Sequence, residues 1–583
     1  MKKKINIEML ILMAVICASF GMFLYLYQKE RIQVEAPEGM SETSALSEWT
    51  VEESNLNGAP FREDKSIYER DNSIYDVYIT VFPTKDENGE MLDFSAFSKH
   101  QSRDHSYNPT LNCNIQILNE GEKMDPLLNL DVSNATIRVR GNSSRGDTYK
   151  SYKVKLTDEN TSFHGQKNLN INKHSEDVTK IATKLETALL AEMDDIGSYR
   201  SYFMRVWIRD ASLPKEQQQF RYYGLYTEIE QPNKSYLEVR GLSSEGNLYK
   251  ARNFDFSLQD VLKNVDDPAY KEEDFETVLT IREGKDHTKL LEMLKAVNDE
   301  TNDFEKIFHK YFNEDNYLTW MAFNLLLGND DIINHNFIIY SPNNSQTWYF
   351  IPWDFDGTLH FGEYESSLMK LPPSLKGGQK LNQSVLHRRY FRLEGSREKL
   401  LRKMEELLEH NLTRENVTEI VNSYKGVLDK TMALEPDIFL LEMPPNELPG
   451  YLDSLYDGIL SNYEAYKVAN EYPVPMYVAA PEKNKDGTIH FSWQPSYSYQ
   501  GRTVTYNLKV YTDFNMQNLV LEEYNIVNTS WDSDIKLKKG TYYLMVTAVD
   551  SKGNEQLSME RYETMLTDIK GLNVNGLLEF ILE

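Results

Sequence analysis

The chain runs to 583 residues with a formal net charge of −27, and it is 40% hydrophobic and 12% aromatic. That length exceeds one ordinary domain, so two or three are expected, and the composition describes a globular protein with ample core, not a disordered one. The acidic balance argues against a nucleic-acid backbone as partner. Two cysteines, Cys17 and Cys113, exclude a disulfide framework.

Lys2–Lys4 precede Met9–Tyr27, an apolar run without a charged residue. It is long enough to span a bilayer and long for a signal-peptide core. No small-x-small site closes it, because FLYLYQKER is bulky and then charged. Ile16 also spoils the position before Cys17 for lipoprotein processing. The expectation is an uncleaved anchor over residues 1–29, with Lys2–Lys4 inside and the bulk of the chain extracellular. A cleaved signal peptide is the competing reading. Residues 30–71, rich in Glu, Ser, Gly and Asn, read as a solvated stalk.

Alternating patterns then predict strands at Ile74–Phe82 and Cys113–Leu118, and two strands around a loop within Ala135–Leu156. In that loop Gly141 and Gly146 flank a Ser-rich turn, with Arg138, Arg140 and Arg145 nearby and Lys150, Lys153 and Lys155 on the returning strand. Exposed backbone N–H groups with Lys or Arg behind them can cradle a phosphate, although a plain hairpin turn explains the same residues. A helix is expected over Asp177–Met193 with Ser175 as its cap, then strands at Tyr202–Ile208 and Tyr222–Glu230. Helical periodicity returns at Asp286–Val297, Phe304–Leu327, Ser396–Leu434 and Pro449–Asn470. The Leu and Tyr stripe of the last reads as core. From Tyr472 short strands and KDG, KKG and SKG turns follow one another at the spacing of an all-β sandwich. This region resembles a fibronectin type III module over Tyr472–Thr567, leaving 568–583 as a tail.

Gly328–Thr358, GNDDIINHNFIIYSPNNSQTWYFIPWDFDGT, reads as a β-hairpin with acids and amides at its open end. FIIYS and TWYFI are the strands and PNNSQ the turn. In an antiparallel pair centred there, residues near Asn334–Asn336 face those near Pro352–Asp354, with neighbours roughly 5 Å apart and diagonal ones about 7–8 Å apart. Asp331, Asn336, Asp354 and Asp356 can then share one pocket. Hard oxygen ligands of this kind suit Mg²⁺, which takes carboxylates together with substrate phosphates. Surface carboxylates at a helix end are the bland alternative for Asp330 and Asp331. His335 between two asparagines reads as a hydrogen-bonding residue, and no His or Cys pair accompanies it, which argues against zinc. Trp353 is expected to pack under the site.

Taken together, IRVRGNSSR with KSYKVKL, YYGLYTEIEQ, NDDIINHNFIIY and WYFIPWDFDGT resemble the spore-coat protein H (CotH) kinase family, in the family's order across Ile74–Glu471. The resemblance implies an α+β fold: an atypical protein-kinase-like domain over residues 72–471, followed by the type III-like sandwich at 472–567. It also implies phosphoryl transfer from ATP to Ser or Thr of a protein, using Mg²⁺. A kinase needs an Asp base, an Asn five residues on and a further Asp on Mg²⁺. Asp331 and Asn336 have that spacing, with Asp330 as rival base, and D-F-D-G supplies Asp354, with Asp356 as a third ligand. Lys153 is the first choice for the phosphate-holding lysine. Lys155 shares its face and Lys150 the opposite one. Arg140 also belongs to the expected nucleotide site, and Glu228 or Glu230 would border the nucleotide. Glu186 has the right order in the chain to orient the lysine, but VTKIATKLET stands where the family's helix usually begins with an Arg-Asn pair.

The reading is therefore a membrane-anchored, surface-exposed phosphotransferase acting on a protein at or outside the cell surface, with the type III-like module contacting protein or cell wall. Two other classes remain open: a non-catalytic adhesion or scaffold protein, and a phosphotransferase acting on a cell-wall glycan.

Overall fold

The computed structural model describes residues 58–101, 104–124, 130–158, 161–329, 331–361, 375–565 and 571–582. The run Met9–Tyr27 lies outside them. Among the described residues no helix is long and apolar enough to cross a membrane. The stalk expectation is corrected over its last part. Phe61 is buried with its ring 5.4 Å from that of Tyr349, and Glu63 pairs with both Lys65 and the buried Arg240. Local composition suggested solvation, but one ring and one carboxylate with distant partners order the segment.

Strands β1 (Ile74–Val81), β2 (Leu111–Asn119), β3 (Ala135–Arg140), β4 (Ser151–Leu156), β5 (Asn168–Asn172), β6 (Ser201–Asp210) and β7 (Arg221–Glu230) close into a barrel. Their order is β1-β2-β3-β4-β5-β7-β6, and β6 returns to β1 in parallel. Because side chains alternate between faces, Val77, Ile79, Ile137, Val139, Val154 and Ile171 fill the interior. Arg138 and Lys153 pair across β3 and β4 on the outer face, with Arg140 and Lys155 in the same two rows.

Helix α1 (Ala182–Ala191) lays Leu185 and Leu189 in one core with Phe203, Leu225 and Ile229 of β6 and β7. The expected Ser175 cap is corrected. The buried Asp177 carboxylate accepts from the N–H groups of Thr179 at 2.8 Å, Lys180 at 3.0 Å and Ala182 at 3.0 Å. A carboxylate has the lone pairs to satisfy several free N–H groups of a helix start, where a hydroxyl serves one.

A second antiparallel sheet has the order β9-β8-β10-β11, with β8 (Asn247–Ala251), β9 (Leu279–Glu283), β10 (Phe337–Ser341) and β11 (Tyr349–Pro352). Behind it lie α2 (Thr288–Asn298), α3 (Phe304–Tyr311) and α4 (Glu314–Leu326). The single helix expected over Phe304–Leu327 is broken at Asn313. That residue turns extended and its side chain accepts the Asn316 N–H at 2.9 Å, a cap inside an unbroken apolar pattern. Thr413 divides Ser396–Leu434 in the same way, into α5 (Ser396–His410) and α6 (Arg414–Thr431). α7 (Leu455–Ala469) completes the helical body.

The C-terminal region is β-rich: a three-stranded and a five-stranded sheet enclose Phe491, Trp493, Leu508, Val510, Leu544 and Val546. Leu577–Leu582, in the stretch expected to be a tail, pairs with Gly540–Met545 and belongs to this core. The region meets the helical body where the Arg397 guanidinium lies 3.8 Å from the ring centre of Tyr499 and 4.4 Å from that of Phe391.

The barrel is tied to the helices by charge as well as by apolar packing. Lys173, just past β5, meets Asp437, beyond α6, at 2.6 Å, with side chains only 2% and 5% exposed. Asp437 also accepts from the Leu225 N–H at 2.8 Å. Gly224, at φ +105°, permits this approach, since a Cβ there would overlap both charged groups. Asp437→Ala would strand the Lys173 ammonium without a counter-charge, a loss of about 3–5 kcal/mol. Its urea midpoint is expected well below the parent's, with Lys173→Met plus Asp437→Leu recovering most of the loss. An unchanged midpoint in the single variant would contradict this role.

Candidate active site

The site forms where the hairpin opens. β10 and β11 pair with Phe337 opposite Pro352 and Ile338 opposite Ile351, and the Trp353 N–H donates to the Asn336 carbonyl at 3.3 Å. Asn336 therefore faces Trp353, and Asp354 is the next residue. Asn336 (φ +59°) and Asp354 (φ +67°) both take the left-handed backbone that asparagine and aspartate tolerate better than other side chains. Each turns the chain sharply off its strand.

On the β10 side, Asp331 accepts from Asn336 Nδ2 at 2.9 Å and lies 2.7 Å from His335 Nε2. Its own N–H donates to Asn329 Oδ1 at 3.2 Å, and Asn329 in turn donates to Asn324 Oδ1 on α4 at 2.9 Å. The rival base Asp330 lies outside the described residues. On the β11 side, Trp353 is buried, 5.2 Å from the Tyr199 ring. The Asp356 carboxyl is held well above the usual carboxylate range, first by withdrawal from water and then by Asp354 beside it, with a hydrogen bond between the two. Both adjacent carboxyls therefore cannot stay ionised unless a cation joins them.

Cations reach these acids from two walls. Arg140, at the end of β3, is lowered to about 10 by burial, with Asp354 opposing, Arg282 adding and Asp356 opposing again. From β8, Lys250 is lowered to about 8 by burial, with Asp354 opposing and Arg282, Arg140 and Arg252 adding. Its ammonium lies 5.1 Å from the Trp353 ring centre. Lys153 is lowered to about 8 by burial and then by Arg138, Arg282, Arg140 and Lys155, with no acid among these neighbours. Lys155 stands exposed beside it, and the buried Arg282 Nε has no hydrogen-bond partner among the described residues.

Other sequence candidates lie elsewhere. Arg145 is buried, on His100 Nδ1 at 2.7 Å and the Asp104 carbonyl at 3.1 Å, and Lys150 donates to the Arg145 carbonyl at 2.6 Å. Both brace the Gly-Ser loop. Glu228 and Glu230 share the face of β7 that turns Tyr226 into the barrel. Glu230 is locked to Arg200 and to Arg240, the latter at 2.6 Å. Burial, and then Glu230, push Glu228 up to about 8, against hydrogen bonds from Gln166, at 3.4 Å, and from the Asn170 backbone. Glu186 is buried and accepts from the Thr358 hydroxyl, so it joins α1 to the D-F-D-G-T turn and meets no described lysine.

Sequence reading missed Lys250 and Arg282. LYKA and LTIRE carry one basic residue each in otherwise ordinary strands, and only the pairing of β8 with β9 and β10 brings them to the hairpin.

The family described as CotH kinase protein matches residues 137–439, more than half of the chain. The chain belongs to that family. It is 24% identical over 299 residues to the inner spore coat protein H of Bacillus subtilis (strain 168), covering 51% of this chain and 70% of that protein. An intracellular exo-alpha-L-arabinofuranosidase of Bacteroides ovatus is 28% identical over 151 residues, 23% of this chain and 28% of that one. Among solved structures, a Fn3-like protein from Clostridium thermocellum is 23% identical over 15% of this chain and 81% of its own, with a TM-score of 0.11. The HipA, HipB and operator DNA complex of Shewanella oneidensis MR-1 gives 12% identity over 64% and 68%, with a TM-score of 0.22. Both superpose too loosely to carry an argument.

These findings correct the expected location. The CotH relative is named for the inner spore coat, and among the described residues no helix can cross a membrane, so a single-pass protein of the cell membrane is not supported.

Lys153 and Lys250 titrate near pH 8, charged below and neutral above. Affinity for inorganic triphosphate is expected to fall between pH 7 and pH 9 as these charges are lost. Calorimetry should show Lys250→Met binding more weakly at pH 7 and with a shallower fall. A fall as steep as the parent's would remove Lys250 from the site.

Proposed function

We propose that this CotH-family chain is an ATP-dependent phosphotransferase that moves the terminal phosphoryl group to a Ser or Thr hydroxyl of a protein, with Mg²⁺. The observation that carries the reading is the adjacent pair Asp354 and Asp356, with the Asp356 carboxyl held well above the usual carboxylate range, in a half-buried site between the cationic walls of Arg140 and Lys250. Acids and bases gathered at one hairpin mouth suit a metal polyphosphate, a cation joined to a polyanion.

The residues fit the ion. Among the described residues no three His, Cys, Asp or Glu side chains are grouped to cage a metal. Two carboxylates with an asparagine are what Mg²⁺ takes when substrate phosphates complete its shell. Asp354, Asp356 and Asn336 would hold it, Asn336 through Oδ1 because its amide nitrogen is engaged by Asp331. Bound there, Mg²⁺ would neutralise charge on the phosphate oxygens.

The chain's own groups do the rest. Lys250, Lys153 and Arg140 bind phosphate oxygens, Lys153 standing among the bases Arg138, Arg282, Arg140 and Lys155. Lys155, exposed beside Lys153, extends the same wall. Asp331 accepts the proton of the acceptor hydroxyl as its oxygen attacks phosphorus, and the leaving diphosphate stays on the cations. The coat relative supports an acceptor among the proteins of such an assembly. Glu228, fully buried on the barrel face of β7, and Glu230, in the buried ion network, are left out of the nucleotide contacts.

With labelled ATP and Mg²⁺, the full chain is expected to label itself or a coat-protein fraction, and Asp331→Asn and Asp354→Asn are each expected to reduce labelling at least about 100-fold. Asp354→Asn should also lose the thermal shift given by ATP with Mg²⁺. Transfer that survives both substitutions would overturn the reading.

A further inference from the structure

Asp331 is more exposed than a residue poised for proton transfer ordinarily is: its side chain is 61% accessible, against 38% for His335. An exposed carboxylate rotates freely unless something holds it, and one exposed ion pair contributes little stability. Here it is held at both oxygens. Asn336 Nδ2 donates to Oδ2 at 2.9 Å, and His335 Nε2 faces Oδ1 at 2.7 Å. The left-handed turn at Asn336 brings both side chains, four and five residues on, back to one carboxylate.

The imidazole is itself fastened. Its Nδ1 lies 2.6 Å from Asn334 Oδ1, and Asn334 Nδ2 donates to Asn253 Oδ1 at 2.9 Å. The backbone doubles that link, since the Phe254 N–H donates to the Asn334 carbonyl at 2.6 Å. The chain Asp331–His335–Asn334–Asn253 thus runs from the hairpin mouth to the segment that leaves β8, the strand of Lys250. Nothing in it adds much stability, but each member removes a rotation from the next.

We propose that His335 is a positioning residue that orients Asp331 and couples it to the β8 wall. Its kinetic consequence rests on the phosphotransferase reading. Misplacing a reacting group by about 1 Å costs up to roughly 100-fold in rate without any loss of substrate binding. The signature is therefore a split between kcat and KM.

In the full chain, His335→Ala is expected to lower kcat roughly 10- to 100-fold, with the KM for ATP and the thermal shift by ATP with Mg²⁺ unchanged. His335→Gln, whose amide nitrogen can reach where Nε2 stood, should recover most of the rate. His335→Asn, which can replace only Nδ1, should stay slow. A parent-like kcat in His335→Ala, or equal recovery by Asn and Gln, would overturn the proposal. A second readout needs no activity. With histidine-selective ¹⁵N labelling, the Nε2 resonance assigned by its loss in His335→Gln should move in Asp331→Ala, and a resonance that stays put overturns it. If no phosphate is transferred at all, the phosphotransferase reading fails, and this resonance still decides whether His335 holds Asp331.

Discussion

Repulsion between Asp354 and Asp356 is the constraint around which the rest of this structure is arranged. Two neighbouring carboxyls at a half-buried hairpin mouth oppose each other's ionisation, and burial together with Asp354 holds the Asp356 carboxyl well above the usual carboxylate range. Arg140 and Lys250 stand close enough to act on Asp354, yet burial weakens their own hold on a proton. Neither side neutralises the other completely. The proposed ligand, a cation joined to a polyanion, would meet charges of both signs here.

Holding such a site open requires rigid walls, and these are fastened independently of its charges. The Asp331 loop is hung on α4 through Asn329 and Asn324. The D-F-D-G-T turn is hung on α1 through Thr358 and Glu186, and the Leu359 N–H closes on the Leu327 carbonyl at 2.9 Å. α7 supports both from below, with Asn462 donating to the Leu326 carbonyl at 3.0 Å. On the barrel side, Arg145 ties the Gly-Ser loop to His100 and the Asp104 carbonyl and Lys150 bonds the Arg145 carbonyl, leaving Arg140 near the acids and Lys153 beside it among other bases. Two basic residues that looked like phosphate ligands in the sequence are thus the scaffold for two others.

How far the sequence could be read depended on the range of the interaction behind each feature. Alternation predicted six of the seven barrel strands, missing the short β5, because the pleat imposes a period of two on any sheet with one buried face. The hairpin mouth was legible too, since a short turn between two apolar runs sets the register, and with it the company of Asp331, Asn336 and Asp354. Helix ends were less so. The break at Asn313 is a cap within a continuous apolar pattern, and periodicity does not register a change of axis. Glu186 shows the harder limit: its helix was expected, but whether its carboxylate meets a lysine or the Thr358 hydroxyl depends on how α1 packs.

What the sequence by itself determined is the local chemistry: the spacing of Asp331 and Asn336, the D-F-D-G turn, the alternating strands and the β-rich C-terminal region. Each is set by contacts within a few residues or across one tight turn. What only the tertiary structure decided is which charges face one another. Lys250 and Arg282 come from strands about 100 and 70 residues before Asp354, and sheet pairing, not spacing, brings them to it. Glu228 and Glu230 follow the same logic in reverse: the closure of the barrel turns their face of β7 inward, so acids that read as neighbours of a nucleotide are drawn into the interior side of the wall. A charge's partner is chosen by the packing of distant segments, and this chain carries that information only as a fold.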